Sequence, residues 1–293
     1  MINKYTKSPF NWVGNKYKQL PQLIQLFPSN IRNFIDLFAG GADISINMTS
    51  RATHVYANDI NKLVVDIMRE FQARSLDDIL QYVDARVAEY GLTKDNKENY
   101  FAFREAYNNG TCNSPLDLFT LTRFSYNNNF RFNDNNEMNQ AFGDRYFNPV
   151  MRKNTVAFHA LIKDVNLSSI SFKDFDLSHF GTNDFIYADP PYLIADAFYN
   201  TGARNAAQKW VPQDDLELFN YLDLATTKGI KFAMSNFIHH RGKSNQKLIE
   251  WINDNEYNTF DVNSDYSRCV ANKIKDNNPT LEVVITNYEN RTA

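Results

Sequence analysis

The strongest chemical signal in the chain is Asp189-Pro190-Pro191-Tyr192, which closes the apolar run Phe185-Ile186-Tyr187-Ala188. At an average usage of roughly 5% per residue type, a given tetrapeptide occurs by chance in about 0.2% of chains this long. Two prolines fix the chain direction and remove two donors, so the carbonyls between them are free to accept from a ligand. A carboxylate, a bare carbonyl and an aromatic ring thus converge at the end of a strand. Such a set suits a planar, amino-substituted base. Asp189 and the Pro190 carbonyl accept from its exocyclic NH2, and Tyr192 stacks on its face.

Two further apolar runs end in residues that could hold a ligand. Asn33-Phe34-Ile35-Asp36-Leu37-Phe38-Ala39-Gly40-Gly41 is a strand closed by two glycines, ahead of a helix expected over residues 42–48. Glycines there let the backbone approach a ligand in the crevice where open α/β sheets bind. The pattern is neither G-x-G-x-x-G nor a Walker phosphate loop. His54-Val55-Tyr56-Ala57-Asn58-Asp59 then ends in an acid. In nucleoside-binding α/β folds, an acid at this place accepts from ribose hydroxyls. The competing role for Asp59 is N-cap of the next helix.

Residues at strand ends need a sheet to bring them together. Strands are expected over 33–38, 54–57, 166–172, 185–188, 230–234 and 281–286, and helices over 60–71, 76–90, 212–227 and 245–253. The alternation predicts an α/β fold with a mostly parallel sheet covered on both faces. The rhythm breaks between about residues 75 and 163. There, several helices precede a polar, aromatic stretch over 124–148, in which Phe130, Phe132 and Phe142 flank Asn133-Asp134-Asn135-Asn136 like the arms of a β-hairpin. The expected division is a main α/β domain over 1–74 and 164–293, with an inserted domain over 75–163.

Composition narrows the function. With 293 residues, 43% of them hydrophobic, the chain buries a full core, and its net charge of −3 argues against binding polyanions by bulk charge. Two acid-free basic runs stand out, Lys4, Lys7, Lys16, Lys18 and Arg32 in residues 1–35, and Lys228, Lys231, Arg241, Lys243 and Lys247 in 228–247. Together with the aromatic, Asn-rich middle they point to a local polyanion site. Cys112 and Cys269 form no spaced cluster, so neither zinc nor a disulfide framework is expected, and a reducing cytoplasm is the expected location. No apolar run is long enough for a membrane span. His239-His240 lacks carboxylates or cysteines at metal spacing, and Cys112, in Gly110-Thr111-Cys112-Asn113, lacks the Pro-Cys pair of a cytosine-5 methylating nucleophile.

The chain resembles the Dam-like, D12-type DNA N6-adenine methyltransferases. Asn11-Trp12-Val13-Gly14-Asn15-Lys16, Asp36-Leu37-Phe38-Ala39-Gly40-Gly41, Asn58-Asp59 and Asp189-Pro190-Pro191-Tyr192 occur in family order. The likeness extends to Ser171-Phe172-Lys173-Asp174 and to residues 228–236. The 148 positions from Gly41 to Asp189 match the arrangement of the alpha class, with recognition between the cofactor and catalytic halves.

The resemblance implies a Rossmann-like, S-adenosyl-L-methionine-dependent methyltransferase sheet with an inserted helical and β-hairpin lobe that reads double-stranded DNA. It implies that Trp12 and Lys16 contact the methionine end of the cofactor, with Lys16 pairing its carboxylate, and that Asp36, Phe38, Ala39 and Gly40 line the same cleft. Asp59 would take the ribose, Phe172 and Asp174 would bracket the adenine, and Asp189 would border the cofactor while accepting from the target amine. Arg145 and Arg131 would contact bases, with Tyr126 and Asn127 beside the flipped adenine. The implied target is GATC, although Ala141 stands where many relatives carry proline. N4-cytosine methylation, or nucleic-acid binding by an inactive relative, stays open as an alternative. No metal and no membrane are expected, and the expected state is a monomer or weak dimer in a bacterial or phage-infected cell.

Overall fold

The computed structural model describes residues 5–11, 14–195, 210–262 and 280–289. Eight strands form one sheet among these residues: β1 (Ile31–Asp36), β2 (Ala52–Asn58), β3 (Val165–Ser168), β4 (Phe185–Ala188), β5 (Lys231–His240), β6 (Lys243–Ser244), β7 (Asn258–Asp261) and β8 (Leu281–Thr286). The order is β3-β2-β1-β4-β5-β8-β7, with β6 hairpinned onto β5. Pairing is parallel from β3 to β5 and antiparallel where β8 joins β5 and β7 joins β8. The carboxyl ends of β1, β2 and β4 therefore share one edge of the sheet. The reversed direction of β8 brings its first residues to that edge too.

The period-two pattern sorts side chains onto two faces. Phe34 of β1 and Phe185 and Tyr187 of β4 join one core cluster, while Ile35, Ile186 and Ala188 join the other. The first face is covered by α1 (Leu20–Leu26), α2 (Asp43–Met48), α3 (Lys62–Ala73) and the inserted helices, and the second by α8 (Pro212–Thr227) and α9 (Gln246–Asp254).

The inserted segment contains α4 (Leu76–Tyr90), α5 (Lys97–Asn108), α6 (Pro115–Phe124) and α7 (Pro149–Ile162). The bounds of α4 match the sequence expectation because both ends are signalled. Ser75 accepts from the Asp78 amide, and Gly91 takes the left-handed φ of +58° that ends the helix. The lobe shares its core with the sheet. Phe10, Phe71 of α3, Phe119 of α6 and Phe158 of α7 form an edge-to-face cluster with centroids 5.2–6.1 Å apart.

The hairpin expected over 124–148 is present in irregular form. Its arms run antiparallel through two isolated bridges, Ser125 with Phe142 and Phe132 with Met138, and through backbone hydrogen bonds such as Tyr126 N–H to the Ala141 carbonyl and Asn139 N–H to the Arg131 carbonyl, both at 2.8 Å, without a regular ladder. The arms are also tied to α5. Asn108 accepts from the Met138 amide (2.7 Å) and donates to its carbonyl (3.1 Å), while Tyr100 and Arg104 both donate to the Gln140 carbonyl. Asn127, Asn128 and Asn136 take positive φ, which interrupts strand geometry. A strand expected over 166–172 likewise stops at Ser168, and Phe172–Asp174 is a 3-10 turn whose start is held by the Ser171 side chain.

Candidate active site and nucleic-acid interface

A cleft opens where β1, β2 and β4 end. Lys16, Asp36, Phe38, Ala39, Gly40, Asp59 and Asp189 all line it, so residues far apart in sequence converge as the motifs implied. Gly40 (φ +50°) and Ala42 (φ +61°) turn the chain sharply between β1 and α2. A left-handed alanine is strained, and strain of this kind gathers where a backbone must pass close to a ligand.

Asp59 is not the helix cap. Asn61 caps α3 by accepting from the Leu63 amide, while Asp59 accepts from the amides of Gly40 (2.7 Å) and Asn61 (2.7 Å). Its carboxylate thus joins the β1 and β2 loops at the cleft floor, and desolvation there pushes its carboxyl above the usual carboxylate range. Asp36 is buried and accepts from the Ser45 hydroxyl at 2.5 Å. Burial, reinforced by the nearby Asp189 and Asp59, pushes Asp36 up to about 7.

Asp43 was missed by sequence reasoning, although it stands only one residue beyond the two glycines. It lines the cleft, accepts from the Ser8 amide and the Asn15 side chain, and is pushed by burial up to about 7. The cleft lining therefore carries four carboxylates against the single ammonium of Lys16. That balance favours a cationic ligand.

Asp189 is the centre of a small network. The Lys16 ammonium lies 2.7 Å from Asp189 Oδ2, and the Tyr192 hydroxyl donates to Asp189 Oδ1 at 2.9 Å. Burial raises the Asp189 carboxyl, and the Lys16 charge opposes that rise. Two placements differ from expectation. Lys16 pairs with Asp189 inside the protein rather than standing ready for an external carboxylate. Tyr192 is only 6% exposed, with Lys16 over its ring at 5.0 Å and Phe237 against it at 4.6 Å, so it is not an open stacking plate. Pro190 is buried and Pro191 lines the cleft.

Phe172 packs on Phe38 at 5.5 Å and on Trp210 at 5.7 Å, forming an aromatic wall behind Phe38. Asp174 is exposed on the adjoining turn, and neither Phe172 nor Asp174 is among the cleft's lining residues. Trp12 lies outside the described residues, as does Cys269.

On the inserted lobe, Asn127 and Arg145 line a second, polar pocket together with Lys7, Asn11 and Arg123. Asn11 donates to the Asn127 carbonyl at 2.6 Å, which ties the segment leading to Lys16 directly to the lobe. Arg123 is buried and held by the Pro9 carbonyl and the Thr122 hydroxyl, and burial lowers its guanidinium to about 9. Tyr126 is exposed, and exposed Arg131 donates to Asn139. Gly143 presses on the opposite arm, where a Cβ would sit 2.5 Å from the Ser125 oxygen and the Tyr126 Cα. This position needs glycine for space.

The two basic runs are not two surface patches. Lys16 and Arg32 are paired with Asp189 and Asp184. The second run is split by the length of β5. Lys228 and Lys231 lie at its amino end and Arg241 and Lys243 beyond its carboxyl end, about 30 Å apart for ten residues of strand. His239 and His240 bond to Ser244 and Thr280, and no group of three or more His, Cys, Asp or Glu among the described residues could hold a metal. No helix among them is long and apolar enough to cross a membrane.

A family model described as D12 class N6 adenine-specific DNA methyltransferase matches residues 12–267. Modification methylase StsI of Streptococcus sanguinis is 39% identical over 99% of this chain and 44% of its own length. Type II methyltransferase M.FokI of Planomicrobium okeanokoites is 38% identical with the same coverage. Modification methylase LlaI of Lactococcus lactis subsp. lactis is 29% identical over 96% of this chain and 43% of its own length. The chain thus spans less than half the length of these relatives.

Proposed function

The chain belongs to the D12 class N6 adenine-specific DNA methyltransferase family, and from that premise we propose that it methylates adenine N6 in double-stranded DNA, as a modification methylase acting in the cytoplasm. The observation that carries this reading is the position of Asp189 and Pro190 at the end of β4, beside a cleft rich in carboxylates. The donor set fits S-adenosyl-L-methionine. Asp36 and Asp59 suit its positive charge and ribose hydroxyls, the Phe38 to Gly40 turn admits close approach, and Phe38 backed by Phe172 offers a flat apolar wall. Bound there, the cofactor would supply an electrophilic methyl group on a sulfonium, which would become a neutral thioether on transfer to N6, with one N6 proton lost.

The protein's part is positioning. Asp189 and the Pro190 carbonyl accept from the two N–H bonds of the flipped adenine's amine, which aligns the nitrogen lone pair with the methyl group and stabilises the positive charge that develops on nitrogen. The Asp189 carboxylate lies where the departing proton is released. GATC is the proposed target, with Arg131 and Arg145 toward base edges and Tyr126 and Asn127 beside the vacated position in the duplex. Transfer of labelled methyl groups from S-adenosyl-L-methionine to unmethylated and N6-premethylated duplexes tests the reading. Incorporation into the first and not the second is expected, and no incorporation into adenine overturns it.

Two substitutions separate the subsites. Asp59→Ala is expected to weaken cofactor binding by about 1.5–3 kcal/mol, the range for a lost charge-assisted hydrogen bond, without altering sequence preference. Calorimetry reads this directly, and unchanged affinity removes the ribose role. Arg145→Ala is expected to cost about 1–3 kcal/mol on the cognate site and much less on a duplex already changed at the contacted guanine. Methylation rates on single-base variants of GATC at two salt concentrations distinguish this from a phosphate contact, which would weaken every sequence alike. Charge removal at Arg241 or Lys243 should act uniformly. At Lys228 or Lys231, at the far end of β5, it should have little effect.

A further inference from the structure

Glu282 stands in none of the motifs, yet it is 3% exposed at the start of β8, paired in register with Phe237 of β5. Its Oε2 accepts from Gln19 Nε2 at 2.8 Å. Its Oε1 accepts from the Tyr192 hydroxyl at 2.9 Å and lies 3.7 Å from the Lys16 ammonium. The two groups that hold Asp189 are therefore both within reach of a second carboxylate. The Tyr192 hydroxyl has one hydrogen and two carboxylate oxygens at 2.9 Å, so it satisfies one of them at a time.

This geometry matters because Asp189 cannot serve its present partners and a target amine equally well. Lys16 and Tyr192 each engage one of its two oxygens, so an amine must share an oxygen that already accepts from another donor. Releasing a buried ammonium and hydroxyl is costly unless another acceptor receives them. We propose that Glu282 is a positioning residue that takes over Tyr192 and Lys16 as Asp189 turns to the target amine, with Gln19 holding it in place. The inference rests on the assignment of Asp189 as the amine's acceptor. It adds a carboxylate that touches neither cofactor nor base.

Among the described residues, the groups facing Asp189 are Lys16 from the amino-terminal segment, Asp36 from β1, Tyr187 from β4, Tyr192 from the following turn and Glu282 from β8. The negative charge of Glu282 raises the Asp189 carboxyl. Removing it lowers that carboxyl and also leaves Lys16 more firmly on Asp189, so both effects have the same sign.

Glu282→Gln keeps size and burial while removing the charge. In single-turnover methyl transfer it is expected to be slower by about tenfold, less than the roughly 10²-fold loss when a preorganised group is removed outright, with cofactor and DNA affinities close to those of the parent. The acid limb of its rate profile is expected at lower pH, and an NMR titration of the unliganded protein should show the Asp189 carboxyl titrating lower. Glu282→Asp should recover most of the rate. Gln19→Met, which loosens Glu282 from the side away from the cleft, should give a smaller loss and covers the case in which Glu282→Gln fails to fold. A folded Glu282→Gln protein with the parent's rate, or a slower one whose pH profile and Asp189 titration are unmoved, overturns the proposal. A parent protein that transfers no methyl group to DNA overturns the proposed function instead, and the NMR titration still reports on the coupling of Glu282 to Asp189.

Discussion

Asp189→Ala is expected to lower methyl transfer by about 10²-fold or more, the typical loss when one preorganised hydrogen-bonding group is removed from a reacting centre. The fold should survive. Asp189 lies beyond the last residue of β4, and the apolar contacts of that strand are made by Phe185 to Ala188. The substitution removes the partner of Lys16 at 2.7 Å but leaves Glu282 at 3.7 Å, so the buried ammonium keeps a countercharge. Asp189→Asn retains one acceptor oxygen without the charge and should fall between alanine and the parent. Single-turnover transfer, with cofactor and DNA binding measured in parallel, reads the effect on the reaction apart from binding. A folded Asp189→Ala protein with near-parental turnover removes Asp189 from the reaction.

The second large effect is on pH. Burial, assisted by the neighbouring Asp189 and Asp59, pushes Asp36 up to about 7. A carboxyl raised on folding contributes stability that is fully present below its unfolded pKa and is lost as pH rises through the folded one, so the unliganded protein should lose stability between about pH 4 and 7 from this group. A bound sulfonium reverses the balance by favouring the ionised carboxylate. Cofactor affinity should therefore rise with pH up to about 7 and then level off. For one such group, affinity at pH 5.5 is lower than the plateau by about 30-fold, following from tenfold per pH unit below the pKa. Asp36→Asn should flatten that dependence. Asp43, also pushed by burial up to about 7 and lining the same cleft, supplies the comparison, and Asp43→Asn should leave a dependence from Asp36 in place. Calorimetry across pH 5.5–8 tests this. An affinity independent of pH in the parent would mean that the cofactor's charge does not meet an ionised Asp36.

The residues proposed to do chemistry were legible in the sequence where they sit in short, contiguous signals. Asp36, Asp59 and Asp189 each end an apolar run, and the parallel α/β alternation that places such ends on one edge could be read from periodicity. The span of α4 was equally plain, because a Ser cap and a terminal Gly mark it locally. Features that depend on distant partners were not legible. Nothing near Lys16 says that Asp189, 173 positions away, will take its charge. A run such as residues 124–148 carries the alternation of a hairpin, and its arms do meet, but nothing local says that Asn108 and Tyr100 on α5 will share its backbone or that no regular ladder will form. Charge runs in sequence became paired ions at Lys16 and Arg32 and opposite ends of one strand at Lys228 and Lys243. Glu282 left one trace, a lone acid within Leu281-Glu282-Val283-Val284-Ile285. That strand runs antiparallel to β5, and only this reversal carries its first residues to the edge where β4 ends. Local hydrogen bonding and side-chain periodicity act within a few residues and so are written in the sequence, whereas strand direction and the sharing of buried charge are settled only when the sheet closes around them.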